Sequence, residues 1–321
     1  MLKKQPDETF YGYMVRLASN KKDYGLTWVD IASLLNSVNG ENFGESTYRK
    51  FYTAFNAGMK YERGENTDTK QRILSISDLH VPYQLPTSTF QEYAGKIDIL
   101  QLNGDVVDCS SISKFPKAYR SSPMNEILEA RKYLISLIDL LKPKEVHIVY
   151  GNHDVRFENY LSKNLDSDLI ELMPRTSLEI IFDDGFSHYD KETRAKTVYE
   201  PLKNMFETKF FFNDKWYCQI GDTIFCHPLA YKSGMMKTAE AAMMYFRNEG
   251  FSFTRLVMAH SHRIGFYVIG NTVIHEQGAC CHTEKMHYAD GKLTPSQKQG
   301  YIYLEQDSSG NTIKYEQKIL N

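Results

Sequence analysis

Five apolar runs of four to six residues, each ending on ligand-type side chains, constrain this chain more than any other feature. Ile73-Leu74-Ser75-Ile76-Ser77 runs into Asp78-Leu79-His80, and Ile97 to Leu102 into Gly104-Asp105-Val106-Val107-Asp108. Val146 to Tyr150 leads to Gly151-Asn152-His153-Asp154. Thr223 to Cys226 leads to His227, and Leu256 to Ala259 to His260-Ser261-His262. Such short runs read as buried strands. A helix from Met124 to Leu141, with Ile127, Leu134, Ile138 and Leu141 on one side, separates the second from the third. Strand–helix–strand alternation implies an α/β sheet buried on both faces. Farther on, residues 216–220 and 223–226, 266–269 and 272–276, and 301–306 and 312–318 flank turn signals and read as hairpins. The expected fold is a four-layer α/β/β/α sandwich, two mixed sheets face to face with helices outside. Sites in α/β sheets form beyond the carboxyl ends of strands, so the five polar ends are expected to share one crevice.

The N-terminal part has a different pattern. Phe10, Met14 and Leu17 recur at helical spacing after Asp7, a candidate N-cap. Thr27 can cap a second helix with Trp28, Ile31, Leu34 and Leu35 on one face. A third helix is expected to start near Glu45 or Ser46, burying Tyr48, Phe51 and Phe55. Three short helices resemble a helix-turn-helix unit; the alternative is a helical packing or dimerisation module. Residues 1–70 carry ten basic and nine acidic side chains, so charge does not argue for DNA contact there. The polar stretch 62–70 reads as a linker, which divides the chain into a helical module (1–61), a linker (62–70) and an α/β domain (71–321).

A net charge of −2 excludes a chain held on nucleic acid by bulk charge. No signal peptide, no membrane span and no disulfide framework are read from the sequence, which suggests a cytoplasmic protein with free thiols. Cys218 and Cys226 could face each other across their hairpin and read as packing residues, as does Cys109. No phosphate-binding glycine loop is present, which argues against a P-loop triphosphatase.

Residues i and i+2 of an extended segment share a face, so Asp78 and His80 can bind one ion, and His260 and His262 repeat the spacing. Carboxylate, amide oxygen and imidazole suit Mn, Fe or Zn. Seven such residues are too many for one tetrahedral ion and suit two ions about 3.5–4 Å apart. In this order, Asp-x-His, Gly-Asp-x-x-Asp, Gly-Asn-His-Asp, a lone His and His-x-His resemble the calcineurin-like metallophosphoesterase superfamily over roughly residues 71–280. The one departure is Ala259, where that family usually has Gly. The resemblance implies that Asp78, His80 and His262 hold one metal, that Asn152, His227 and His260 hold the other, and that Asp105 bridges them. The metals implied are two divalent ions, Mn²⁺ first, with Fe, Zn and Mg as alternatives. It implies that hydroxide held between the metals attacks in line, that His153 faces the substrate as phosphoryl-binding group or general acid, and that Asp154 orients His153. Asp108 is left between a structural and a chemical role. His147, His188, His275, His282 and His287 fall outside the motifs and read as structural.

Lys114, Lys117 and Arg120, interleaved with aromatics, read as candidate substrate contacts, as do Arg156, Tyr231 and Lys232. The long stretch between Asp154 and His227, ending in Phe210-Phe211-Phe212, reads as a possible cap. Cys109-Ser110 after Asp108 departs from the protein phosphatases, and Val106-Val107 from the purple acid phosphatases. A helical module fused to such a domain resembles phage-borne phosphoesterases, which would work in the host cytoplasm. The leading expectation is a metal-dependent phosphodiesterase or nuclease acting on DNA. The alternatives are a phosphoesterase on a nucleotide, cyclic nucleotide or other small molecule, with the module serving assembly, and a DNA-binding regulator on an inactive fold.

Overall fold

The computed structural model describes residues 2–62, 71–113, 122–174, 176–285 and 297–320. The chain divides into two compact units, Met1–Asp68 and Thr69–Asn321. Among the described residues no helix is long and apolar enough to cross a membrane.

The first unit holds α1 (Phe10–Ser19), α2 (Trp28–Asn39) and α3 (Glu45–Glu62). Helix α1 begins two residues later than Asp7 would set it, because Thr9 Oγ1 accepts the Gly12 N–H. Thr27 and Asp30 cap α2 reciprocally: Thr27 Oγ1 accepts the Asp30 N–H, and the Asp30 carboxylate accepts the Thr27 N–H. Tyr13, Met14, Leu17, Ile31, Leu35 and Tyr48 form the core. Phe51 and Phe55, expected inside, are exposed. Helix α3 has 18 residues against 10 and 12 in its partners, so it offers more surface than they can cover. Phe51 stacks instead on the exposed Tyr11, centroids 6.0 Å apart.

The second unit contains two mixed sheets. In the first, the order is β13 (Thr312–Leu320), β12 (Gln299–Gln306), β1 (Gln71–Ile76), β2 (Ile99–Asn103), β3 (Glu145–Val149), β6 (Lys209–Phe212). Strands β1, β2, β3 and β6 are parallel, and β12 runs antiparallel to both its neighbours, β1 and β13. The second sheet has the order β10 (Ile264–Ile269), β11 (Thr272–Gln277), β9 (Arg255–Met258), β8 (Thr223–Cys226), β7 (Tyr217–Ile220). Here β11, β9 and β8 are parallel. A separate hairpin pairs β4 (Phe186–Tyr189) with β5 (Lys196–Tyr199).

The period of two along each strand builds the layers. Leu74, Ile76, Leu100, Leu102, Val146 and Ile148 pack on α4 (Pro123–Leu141) through Ile127, Leu134, Leu137 and Ile138. Ile73, Ile99 and Val149 point the other way, onto Phe225 and Val257 of the second sheet. That sheet turns Ile224, Cys226, Leu256 and Met258 outward onto Ala239, Met243 and Phe246 of a later helix (Lys237–Asn248). The order helix, sheet, sheet, helix is the four-layer sandwich.

Two expectations change. Phe210–Phe212, expected in a cap, belongs to β6, the edge strand beside β3. Cys218 and Cys226 do not face each other: register sets Cys218 opposite Phe225, so Cys218 lies between the sheets and Cys226 under the outer helix. All five cysteines are buried, and none is in a disulfide.

Candidate metal centre

The strands deliver their polar ends by backbone that leaves the extended region. Asp78, His80, Asp105, His260 and His262 all have positive φ, between 45° and 83°. The segment Asp78–His80 is therefore not extended, and the alternation expected of it does not apply. The left-handed turns swing Asp78 and His80 toward His262 instead. His260 and His262, of equal spacing, go to different clusters. Ala259 is absent from the positive-φ residues, so its methyl costs no strain there.

Backbone hydrogen bonds lock the strand ends together. The Asp78 N–H donates to Gly104 O at 3.1 Å, and the His80 N–H to Asp105 O at 3.0 Å. The His153 N–H donates to Asp105 Oδ1 at 2.7 Å. The two motif glycines are there for space. A Cβ at Gly104 would enter the His227 ring, and one at Gly151 would collide with the Asp105 carboxylate.

Three sets of candidate ligand atoms result, each with its atoms within 4.8 Å of one another. Asp78, His80 and His262 form the first, Asp105, His227 and His260 the second, and His80, Asp108 and His153 a third that shares His80 with the first. Asn152 joins the second, its Oδ1 lying 2.6 Å from His260 Nδ1 and 3.2 Å from His227 Nε2. Asp105 Oδ2 stands between the first two sets, 3.3 Å from His227 Nε2 and 3.8 Å from His80 Nε2. His227 is oriented from behind by the Asn103 carbonyl, 2.9 Å from Nδ1.

The donor set fits divalent cations. His80 Nε2 and His262 Nε2 face each other at 3.0 Å. Asp78 Oδ1, 3.1 Å from His262 Nε2, makes no hydrogen bond, and His260 Nε2 is buried without one. Lone pairs converging in a buried space with too few protons are what a cation satisfies. The protein's own charges also balance around this space. Burial lowers His80, but Asp108 and Asp78 outweigh it and hold it up to about 10. Burial likewise opposes His227, which Asp105 raises to about 9. Burial would lift Asp78 and Asp105, yet the surrounding histidines hold both well below the usual carboxylate range.

The Asp154 expectation needs correction. Its Oδ2 accepts the N–H groups of Asp105 and Gly151, both at 2.8 Å, so it ties two strand ends together and is not the partner of the His153 ring. Burial, then the neighbouring Asp105, push its carboxyl up to about 7. Asp108 takes the orienting position: its backbone O lies 3.0 Å and its Oδ1 2.9 Å from His153 Nδ1, and Oδ1 also lies 3.2 Å from His80 Nδ1. On the other side, Arg156 Nη2 lies 2.8 Å from His153 Nε2, and Arg156 Nη1 donates to Asp108 O. Burial lowers the His153 ring; Asp105 opposes this without offsetting it.

Of the candidate substrate contacts, Arg156 is thus placed at His153. Tyr231 lies edge-on to His260, centroids 5.9 Å apart. Lys232 is exposed on the same loop. Lys114, Lys117 and Arg120 lie outside the described residues. Asn103 and Arg263 were missed; a backbone carbonyl has no sequence signature, and no spacing rule marks a lone arginine after a histidine.

Residues 1–67 match the YonJ N-terminal domain, and residues 71–263 match the calcineurin-like phosphoesterase family. A prophage-derived uncharacterized protein of Bacillus subtilis, YonJ, is 35% identical over 74 residues, 23% of this chain and 18% of that protein. The chain thus spans less than a fifth of that relative's length. Solved structures similar to it include Vps29 of Cryptosporidium parvum (18% identity, TM-score 0.38, 79% of this chain and 99% of that one). Zinc-complexed Vps29 of Entamoeba histolytica is similar too (14% identity, TM-score 0.35, 78% and 99%). At these values the structural likenesses carry no argument, and the assignment rests on the sequence family. Its model covers 193 of the 321 residues, so this chain belongs to the calcineurin-like phosphoesterase family.

Proposed function

We propose that this chain hydrolyses phosphodiester bonds with two divalent metal ions, Mn²⁺ first among them, and that DNA is its lead substrate. Asp105 carries the reading: its carboxylate stands between two buried sets of ligand atoms, with His153 and Arg156 on a third side. Asp78, His80 and His262 would hold one ion, Asn152, His227 and His260 the second, and Asp105 both. Bound there, the ions would neutralise phosphoryl oxygens and supply a nucleophile near neutral pH.

The chain's own residues do the rest. Arg156 offers a fixed positive charge to non-bridging oxygens. Asp108 holds the His153 ring through Nδ1, while Nε2 accepts from Arg156 Nη2, a contact that a substrate oxygen would have to displace. An arriving phosphate anion raises the His153 pKa against burial and prepares the ring to donate a proton to the leaving oxygen. The positions after Asp108 are Cys109 and Ser110, so the charged continuation of the protein phosphatases is missing here. The relative's prophage origin agrees with a nucleic-acid substrate in a host cytoplasm.

A second reading has its own observation. The first unit exposes Tyr11, Phe43, Phe51 and Phe55, and Arg49 lies 3.7 Å from Glu45. An aromatic, charge-balanced surface suits assembly with protein better than contact with phosphates. On that reading the substrate is a nucleotide or another small phosphoester. Incubating the Mn²⁺-loaded protein in parallel with a bis-ester, a mono-ester, single- and double-stranded DNA, RNA and cyclic nucleotides separates the two. Cleavage of the bis-ester and DNA is expected. Cleavage of mono-esters or small nucleotides alone would contradict the lead and favour the second reading.

A further inference from the structure

The loop after His227 is held more firmly than its exposure requires. Residues 228–236 connect β8 to the outer helix, and Tyr231 on it is 46% exposed. Arg263 is only 5% exposed, and its guanidinium is committed to this loop. Its Nη1 donates to the carbonyls of Ser233 and Gly234 at 3.0 and 3.1 Å, and its Nη2 to the Tyr231 hydroxyl. The guanidinium carbon lies 5.1 Å from the Tyr231 ring centroid. Farther along, Thr238 Oγ1 accepts the Lys232 N–H at 3.0 Å and donates to Lys232 O at 3.2 Å. A buried arginine is costly to desolvate, and here it fixes one half-exposed aromatic ring against a ligand-type histidine.

We propose that Tyr231 is a stacking platform for a nucleobase attached to the reacting phosphate, and that Arg263 is the positioning residue that holds it. The proposal rests on the phosphoesterase reading above and adds the substrate class. Tyr231 meets His260 edge-on, with ring centroids 5.9 Å apart, so one nucleotide could reach both the ring and the centre. Every base has a π-face, so such a platform selects nucleotides without selecting sequence.

Two pairs of ligands test it on the Mn²⁺-loaded full chain. The p-nitrophenyl ester of thymidine 5′-phosphate and methyl p-nitrophenyl phosphate share a leaving group and a diester charge. Thymidine 5′-phosphate and 2-deoxyribose 5-phosphate are compared by calorimetric binding. The base-bearing member is expected to be favoured by about 10–100-fold, in KM and Kd rather than in kcat. Tyr231→Leu is expected to bring both ratios to about one, and Tyr231→Trp to keep them. Arg263→Lys is expected to lower both ratios with Mn²⁺ stoichiometry retained. Competition by oligothymidylate distinguishes sources: tighter inhibition than by the mononucleotide assigns the platform to nucleic acid, equal inhibition to free nucleotides. Ratios of one in the wild type, or ratios surviving Tyr231→Leu, would overturn the platform and leave the phosphoesterase reading standing. No turnover of either ester and no binding of either phosphate would overturn both.

Discussion

Asp108 Oδ1 lies within hydrogen-bond reach of both His80 Nδ1 and His153 Nδ1, so one carboxylate sets the orientation of a ligand-type ring and of a substrate-facing ring. Asp108→Asn is expected to lower bis-ester turnover and Mn²⁺ affinity together, each by about 10–100-fold. Loss of turnover with unchanged metal affinity would confine the residue to His153. His153→Ala removes a ring 4.3 Å from that of His80 but none of the residues that would hold the ions, and is expected to keep Mn²⁺ binding while losing about 10²–10⁴ in kcat for poor leaving groups. The identity of these residues was readable from the motifs because each motif follows a strand. The partner of His153 was not. The family resemblance implied Asp154, but the turn at residues 151–154 directs that carboxylate to the Asp105 and Gly151 N–H groups. Nor did extended spacing explain Asp78 and His80, whose left-handed backbone appears only in three dimensions. Away from the centre, His275 is held neutral by burial and by Arg255, 2.6 Å away, which push it down to about 4. The unfolded chain protonates this ring near its ordinary value of about 6.5 while the folded one does not. Between these two values the unfolded state binds more protons, so stability falls as pH falls. His275→Gln is expected to lose that part of the slope of Tm against pH between 6.5 and 4.5. An unchanged slope would contradict it.

At the scale of elements, local signals and tertiary demands separate cleanly. The capping box of α2 is written in Thr27 and Asp30, and Thr27→Ala is expected to destabilise the first unit by about 1 kcal/mol in chemical denaturation. The three hairpins and the helix α4 were legible because turn residues and periodicity are local. Phe51 and Phe55 misled, since helical spacing shows which residues share a face but not whether a partner covers it. Strand β6 misled in the opposite way: Phe210, Phe211 and Phe212 make a continuous aromatic run, and its pairing with β3 is set by a connection of some sixty residues. The glycines at strand ends act at this scale too. Gly151→Ala is expected to abolish turnover, because the added methyl meets the Asp105 carboxylate.

The whole molecule is two compact units, and each has its own core. Residues 71–321 alone are therefore expected to fold and to retain bis-ester turnover. Loss of DNA affinity in that fragment would assign the first unit to DNA; a changed oligomeric state would assign it to assembly. The net charge of −2 gave no hint of the centre, because it counts the chain alone and two divalent ions add about four positive charges locally. The centre itself is tested most directly by metal stoichiometry. Chelator-treated protein titrated with Mn²⁺ in a calorimeter is expected to take up two ions per chain, and Asp105→Ala to lose tight binding at both sites. Uptake of fewer than two ions by the wild type, or two by Asp105→Ala with full turnover, would contradict a shared carboxylate between two metals.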